Sequence, residues 1–240
     1  MLQSQWRILY CLFIKMQRGA SKMGQTYRID RLHIITYRCK PKKIVKEARC
    51  RYLAKSQIVN GNAKGKCFDY LNFRGSHFKK VDFSHATISG CDFWGASFNK
   101  CNFHNAHITD SVFMGCRFTN CVFDDANVEY TTVVNTNLAG CRNIVLGKNT
   151  EVLSKYPNVD VTSELEEVLN ALRNNVNIRK YKLLHLPGNK FNYLNIYLLQ
   201  KKFSLEELPK LLWRIYSKSN KNVTTYKKLE LALKAEKRML

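Results

Sequence analysis

From Phe68 onward a large apolar residue returns at every fifth position: Phe68, Phe73, Phe78, Phe83, Ile88, Phe93, Phe98, Phe103, Ile108, Phe113, Phe118, Phe123, Val128, Val133 and Leu138. Two residues before most of these slots the chain is small, as at Ser76, Ala86, Cys91, Ala96, Cys101, Ala106 and Cys116. Neither standard element carries that period. On an α-helix five residues advance about 500°, so the Phe side chains would spiral round the axis, and on a flat strand an odd step throws them onto alternate faces. The backbone must therefore turn once per unit. Gly75, Gly90, Gly95, Gly115 and Gly140 all fall two residues after a slot, where a corner needs a residue free of Cβ strain. Proline is absent between Lys66 and Cys141, as a ladder between coils requires.

Asn72-Phe73, Asp82-Phe83, Asp92-Phe93, Asn102-Phe103 and Asn137-Leu138 place a short polar residue before the apolar slot. With the small residue that precedes most of the slots (Leu71, Val81 and Lys66 depart from it), these pairs resemble the A(D/N)LXX unit of the pentapeptide-repeat family, in a variant rich in Phe and Cys. The resemblance implies an all-β, right-handed, four-sided β-helix with four units per coil and the slot and small residues pointing inward. Fifteen units then make just under four coils, stacked about 4.8 Å apart. Some members of the family imitate DNA and protect bacterial type II topoisomerases from inhibitors, so a topoisomerase-protecting or immunity-type protein is the narrower function implied. That role uses an acidic surface, whereas residues 63–143 carry 8 basic and 7 acidic side chains.

The formal net charge of +22 comes from the flanks: residues 1–62 hold 14 basic and 2 acidic side chains, and residues 144–240 hold 18 and 9. Lys40, Lys42, Lys43, Lys46, Arg49 and Arg51 form one basic run, and Arg179, Lys180, Lys182, Lys190, Lys201 and Lys202 a second. Such runs either keep a face solvated or bind nucleic acid or another anionic surface. Ile8 to Ile14 is apolar but far too short to span a bilayer, and Lys15, Arg18 and Lys22 sit where a signal peptide needs small residues. A cytoplasmic protein with no membrane span is expected. Met1, Met16 and Met23 all remain candidate starts.

Three regions follow: a basic, partly disordered N-terminal segment (1–50), the β-helix (51–148, its first units degenerate) and a helical C-terminal subdomain (149–240). In the last, Ser163-Glu164-Leu165-Glu166 has capping-box form ahead of the stripe Leu165, Val168, Leu169 and Leu172. Ser204 opens a second helix with Leu205, Leu208, Leu211, Leu212 and Ile215 on one side and a kink expected at Pro209; a third runs from about Thr225 to Arg238. Tyr181–Leu186 and Phe191–Leu199, on either side of Pro187-Gly188-Asn189, stay open between helix and strand. The stripes need burial, so the helices are expected to cap the open end of the rod or to form a homodimer. Related repeat proteins often dimerise end to end, which is what the resemblance implies.

No catalytic constellation can be placed, and neither a cofactor nor a metal is expected. Cys101, Cys121 and Cys141 should stack on one side of the rod, but stacked residues aim their Cβ atoms the same way and cannot reach a disulfide's dihedral. They fill the corner as small hydrophobes, which suits a reducing compartment. Cys101, His104 and His107 have ligand-like spacing, yet in the implied fold the histidines leave on other faces from the cysteine. Gly61 to Cys67 is one residue short of a phosphate-binding loop.

A non-enzymatic protein-binding module is therefore the leading expectation. Its candidate surface is the face whose outward residues are Arg74, Trp94, Met114 and Val134, with Val112 beside them. The other faces are mainly polar at that position. A stripe of this kind should dock a partner protein or the chain's own helices, with Trp94 as anchor.

Overall fold

A computed structural model describes residues 43–44, 46–218, 220 and 222–239. Lys40 and Lys42 lie outside the described residues, as does almost all of the segment 1–50, and Lys43 is described in its backbone only.

The five-residue units wind into an all-β, right-handed four-sided β-helix of about five turns. Coil-to-coil partners are twenty residues apart in the regular part, as in Phe93 beside Phe113 and Phe98 beside Phe118. Face I stacks Ala48–Arg49, Cys67–Asp69, Thr87–Ser89, His107–Thr109 and Asn127–Glu129. Face II stacks Asp92–Trp94, Val112–Met114, Thr132–Val134 and Glu151–Leu153. Face III stacks Gln57–Val59, His77–Lys79, Ser97–Asn99 and Arg117–Thr119. Face IV is held by single bridges from Asn62 through Asp82 and Asn102 to Val122.

Inside the rod the rings sort into columns. Phe73, Phe93 and Phe113 stack at 5.6 and 4.9 Å, Phe78, Phe98 and Phe118 at 4.8 Å each, and Phe83, Phe103 and Phe123 at 5.0 and 4.5 Å. Neighbouring columns meet edge to face, as Phe93 meets Phe98 at 5.5 Å, so each ring satisfies its quadrupole in two directions. The fourth column, Phe68, Ile88, Ile108 and Val128, is mainly aliphatic.

The corner two residues after each slot is left-handed. Glycine takes it at Gly95 (φ 60°), but Tyr70, Lys80 and Lys100 hold φ 53–54° there without it. Every coil repeats the inter-coil hydrogen bonds that fix those corners, such as Gly95 N–H to the Met114 carbonyl at 2.7 Å and Lys100 N–H to that of Thr119 at 2.8 Å. Gly140 departs from the expectation: its φ is not left-handed, and a Cβ there would lie 2.1 Å from the Phe118 carbonyl oxygen. It serves close approach, not corner strain.

The rod is longer than the regular repeat. Lys43–Ile44 pairs with Gly61–Asn62, and Glu151–Leu153 pairs with Thr132–Val134, so strands extend beyond both ends of the 51–148 span. These outer pairings have offsets of eighteen and nineteen residues, which the strict period of five cannot register. Gly61 to Cys67 is part of a coil, its Gly61–Asn62 strand pairing with Lys43–Ile44.

Five helices follow: α1 (Ser163–Leu172), α2 (Val176–Lys180), α3 (Tyr193–Gln200), α4 (Glu207–Tyr216) and α5 (Tyr226–Lys237). Thr162, not Ser163, caps α1 by accepting from Leu165 N–H at 3.3 Å; Asn175, Asn192 and Thr225 cap α2, α3 and α5 in the same way. Pro209 sits in the first turn of α4, where its missing N–H has no intrahelical partner to lose, so no kink is called for. Phe191–Leu199, open in the sequence, becomes an antiparallel bridge between Phe191 and His185 followed by α3.

These helices do not cap the end of the rod. They lie along face II, where Trp94, Val112 and Val134 join one buried core with Leu165, Leu169, Leu172, Leu208, Leu211 and Ile215. The helical stripes are thus covered within one chain, and no second copy is required to bury them. Leu205 is the exception at 47% exposure.

Candidate functional site

The seam between face II and the helices gathers the residues singled out in the sequence. Trp94, Val112 and Val134 are 7%, 2% and 0% exposed, and Met114 packs against them. The chain's own helices occupy this stripe, so these side chains are not open to a second protein in this fold. Trp94 meets the Tyr156 ring edge to face at 6.5 Å and carries the Arg74 guanidinium 3.9 Å above its own ring. Its indole N–H has no acceptor among the described residues, so Trp94 holds the seam by burial and by its ring contacts with Tyr156 and Arg74.

Hydrogen bonds from the rod clasp the turn that leads into α5. Asn72 Nδ2 donates to the carbonyls of Thr224 (2.9 Å) and Tyr181 (3.2 Å), and Thr224 Oγ1 donates to the Tyr70 carbonyl at 2.7 Å. Asp92, 3% exposed, accepts from Tyr226 N–H at 3.1 Å through Oδ2, at the positive end of α5. Burial pushes the Asp92 carboxyl up to about 7, against the Tyr226 N–H and the Arg74 charge, which both favour the anion. Burial likewise lowers Arg74 to about 10, still cationic at neutral pH, with Asp92, Tyr52 and Tyr156 favouring its charge.

A pH dependence follows from Asp92. Its folded value of about 7 lies above the ordinary 3.8, so between those values the folded chain holds a proton that the unfolded chain has released. The associated stability is fully present below the ordinary carboxylate range and is lost as pH rises through about 7, at up to about 1.4 kcal/mol per pH unit. His185, lowered to about 4 by burial, acts in the opposite sense at lower pH, so a difference between variants is the clean measure. Asp92→Asn keeps an acceptor for Tyr226 N–H and removes the titration. Melting temperatures between pH 5 and 8 should fall more steeply in the unmutated protein than in the variant, whereas parallel profiles would show that Asp92 does not titrate in this window.

The basic residues of the first run are only partly free. Arg49 pairs with Asp69 at 3.7 Å, while Lys46 is exposed. In the second run Lys201 pairs with Glu151 at 2.6 Å and Lys180 lies over the Tyr181 ring at 5.6 Å.

All seven cysteines among the described residues are free thiols, and Cys91, Cys101, Cys116 and Cys121 are buried in the corners. Burial raises Cys116 to about 12, which leaves it an inert small hydrophobe. Cys121 and Cys141 are ladder neighbours. Among the described residues no three His, Cys, Asp or Glu side chains are placed to hold a metal ion. No helix among them is long and apolar enough to cross a membrane.

One surface feature escaped the helical stripes. Trp213 and Tyr216, on the outer side of α4, are 41% and 37% exposed and meet edge to face at 5.5 Å. Asn175, at the start of α2, donates to the Tyr216 carbonyl at 3.2 Å and so brings the exposed Val176 to the same end of the helix bundle. The signal was available in the sequence: both aromatics fall off the apolar side of α4 and lie three residues apart.

The stacked four-sided coils define a parallel β-helix. The model of the family described as pentapeptide repeats matches residues 67–95, 76–113 and 101–140 in eight copies, so this segment consists of pentapeptide repeats. Among similar solved structures is HetL, a pentapeptide repeat protein involved in heterocyst differentiation regulation from the cyanobacterium Nostoc. It is 19% identical over 39% of this chain and 42% of its own, with a TM-score of 0.20. QnrB1, a plasmid-mediated fluoroquinolone resistance protein, is 17% identical over 48% of this chain and 67% of its own, with a TM-score of 0.21. A pentapeptide repeat protein of the Arabidopsis thaliana thylakoid lumen is 21% identical over 39% and 65%, also at 0.21. This chain thus spans less than half of HetL. None of the three likenesses bears on function. No curated protein matches the sequence.

Proposed function

We propose that the chain is a non-enzymatic protein-interaction module in which the β-helix is a rigid support and the helical region presents the contact. The observation that carries this reading is the exposed Trp213–Tyr216 pair beside Val176. Large aromatics left half open on a helix whose leucines and isoleucine are buried are the residue types that anchor protein interfaces. The Trp94 stripe fixes that helix in place and is itself spoken for.

Recovery of bound proteins from a cell lysate at moderate ionic strength, with the unmutated chain and with Trp213→Ala/Tyr216→Ala, tests the proposal. Partners that depend on this patch should lose about 2 kcal/mol or more, roughly a thirtyfold drop in affinity. An identical set of proteins with both chains, or recovery of nucleic acid alone, overturns it. Light scattering of the same two chains distinguishes a second copy bound through this patch from a different partner. Topoisomerase protection is the narrower form of the proposal; gyrase supercoiling with a quinolone present should then be restored by the protein, and no change removes that form.

A further inference from the structure

Sorted by face, the charges of the rod separate. Residues 55–60, 75–80, 95–100, 115–120 and 135–140, which build face III and its corners, include Lys55, Lys79, Lys80, Lys100 and Arg117 and not one Asp or Glu. The seven acids between residues 63 and 143 all fall on the other faces and corners. All five cations of face III are exposed, and none enters an ion pair among the described residues. A near-neutral rod thus carries one uniformly positive side.

The cations spread over the ladder: Lys80 and Lys100 hold the same corner of successive coils, whereas Lys55, Lys79 and Arg117 each lie on a line of their own. His77, Ser97 and Arg117 follow one another on one line of face III, and Lys79, Asn99 and Thr119 on the next. Successive coils are about 4.8 Å apart, so the face runs about 19 Å from the Gln57 coil to the Asn137 coil. Between the charges stand uncharged hydrogen-bonding side chains, with His77 Nδ1 and Ser97 Oγ 2.7 Å apart. A trough of about 410 Å³ lies between Arg117 and the glycine corner, and the missing side chains of Gly95 and Gly115 would meet nothing within 4 Å. Those glycines have their N–H groups committed to the next coil, so they supply room and not donors.

What such a face can hold follows from what it lacks. Its outward side chains include no aromatic, and its outward aliphatics are Val59 and Ala139. A protein partner needs an apolar anchor, single-stranded nucleic acid needs stacking platforms, and a membrane needs a wedge. Cations spread along the face with polar side chains between them suit acceptor-rich negative charge distributed along a stiff ligand. We propose that face III binds the phosphate backbone of duplex nucleic acid without reading its sequence. This proposal is independent of the Trp213–Tyr216 contact, which lies on α4.

The test is fluorescence anisotropy of the full chain with a short mixed-sequence DNA duplex, an RNA duplex of the same sequence and a poly-glutamate peptide. Five phosphate contacts give a slope of log affinity against log salt of about −4.5, a loss of roughly 500-fold between about 50 and 200 mM salt. Lys79→Gln/Lys100→Gln/Arg117→Gln should flatten that slope by about 2.7 for whichever duplex binds. The equal-charge control Lys148→Gln/Lys155→Gln/Lys210→Gln should leave it nearly unchanged, and circular dichroism confirms that both variants are folded. Equal slopes for the unmutated chain and the face III variant overturn the proposal. Equal losses in both variants also overturn it, because the attraction is then diffuse. Binding of poly-glutamate but of neither duplex overturns it in favour of an acidic protein. Trp213→Ala/Tyr216→Ala should leave duplex affinity untouched, so the two proposals fail separately.

Discussion

Trp94→Glu combined with Met114→Lys is expected to lift the helices off the rod while the β-helix stays folded. The seam depends on burial at Trp94, whose ring contacts Tyr156 and Arg74 but whose N–H has no acceptor among the described residues. Loss of a buried Trp costs about 3–5 kcal/mol, and placing a carboxylate and an ammonium in the same apolar layer costs more. What would remain are the burial of Val112 and Val134, the Asn72, Thr224 and Asp92 hydrogen bonds, and the Lys227–Asp110 and Lys201–Glu151 pairs at 2.9 and 2.6 Å, the polar contacts worth about 1 kcal/mol each. These are not expected to hold the five helices in place once a charge is forced into the layer they share. The interior of the rod is a separate core that contains neither Trp94 nor Met114, so its ring columns should survive. Limited trypsin digestion reads the result: the double variant should release the helical region early and leave a resistant rod fragment. A digestion pattern and melting curve that match the unmutated protein would mean that the seam is held by something other than this stripe.

The sequence declared the rod because every slot residue, from Phe68 to Val133, has the same environment and therefore the same chemical type. Its ends were less legible for a physical reason. Ala48, Leu53, Ile58 and Ala63 point inward as the later units do, but none of them is Phe, and the outermost coils have offsets of eighteen or nineteen residues. Trp94 could be placed on a face by counting in fours, yet counting says nothing about what covers it. The helices that do so were readable only where one side is apolar, as in α1 and α4. In α3 Leu194, Asn195, Ile196, Leu198 and Leu199 are all buried, so no polar side remains to reveal a period. Face III was legible all along, since it is defined by residue type and register alone, but a net charge summed over the whole rod conceals it.

Within the rod, Phe98→Ala is expected to be the most destabilising single truncation. Phe98 is 1% exposed and stacks on Phe78 and Phe118 at 4.8 Å each, with edge contacts to Phe93 and Phe103 at 5.5 and 5.8 Å. The backbone around it is fixed by inter-coil hydrogen bonds, so the cavity cannot collapse, and a cost near the upper end of about 3–5 kcal/mol follows. Phe68→Ala should cost less, because Phe68 belongs to the aliphatic column and, among the described residues, its ring meets only Phe83, at 6.0 Å. In a solenoid each coil is stabilised only by its neighbours. A void in the middle of the column therefore weakens two interfaces at once, whereas one in the Phe68 coil falls where the ladder partner on one side is the short Ala48–Arg49 strand. Urea unfolding of the two variants measures the difference. A smaller loss for Phe98→Ala than for Phe68→Ala would mean that the stacked columns contribute nothing beyond the area they bury, and that the aromatic register is a consequence of the coil geometry instead of one of its causes.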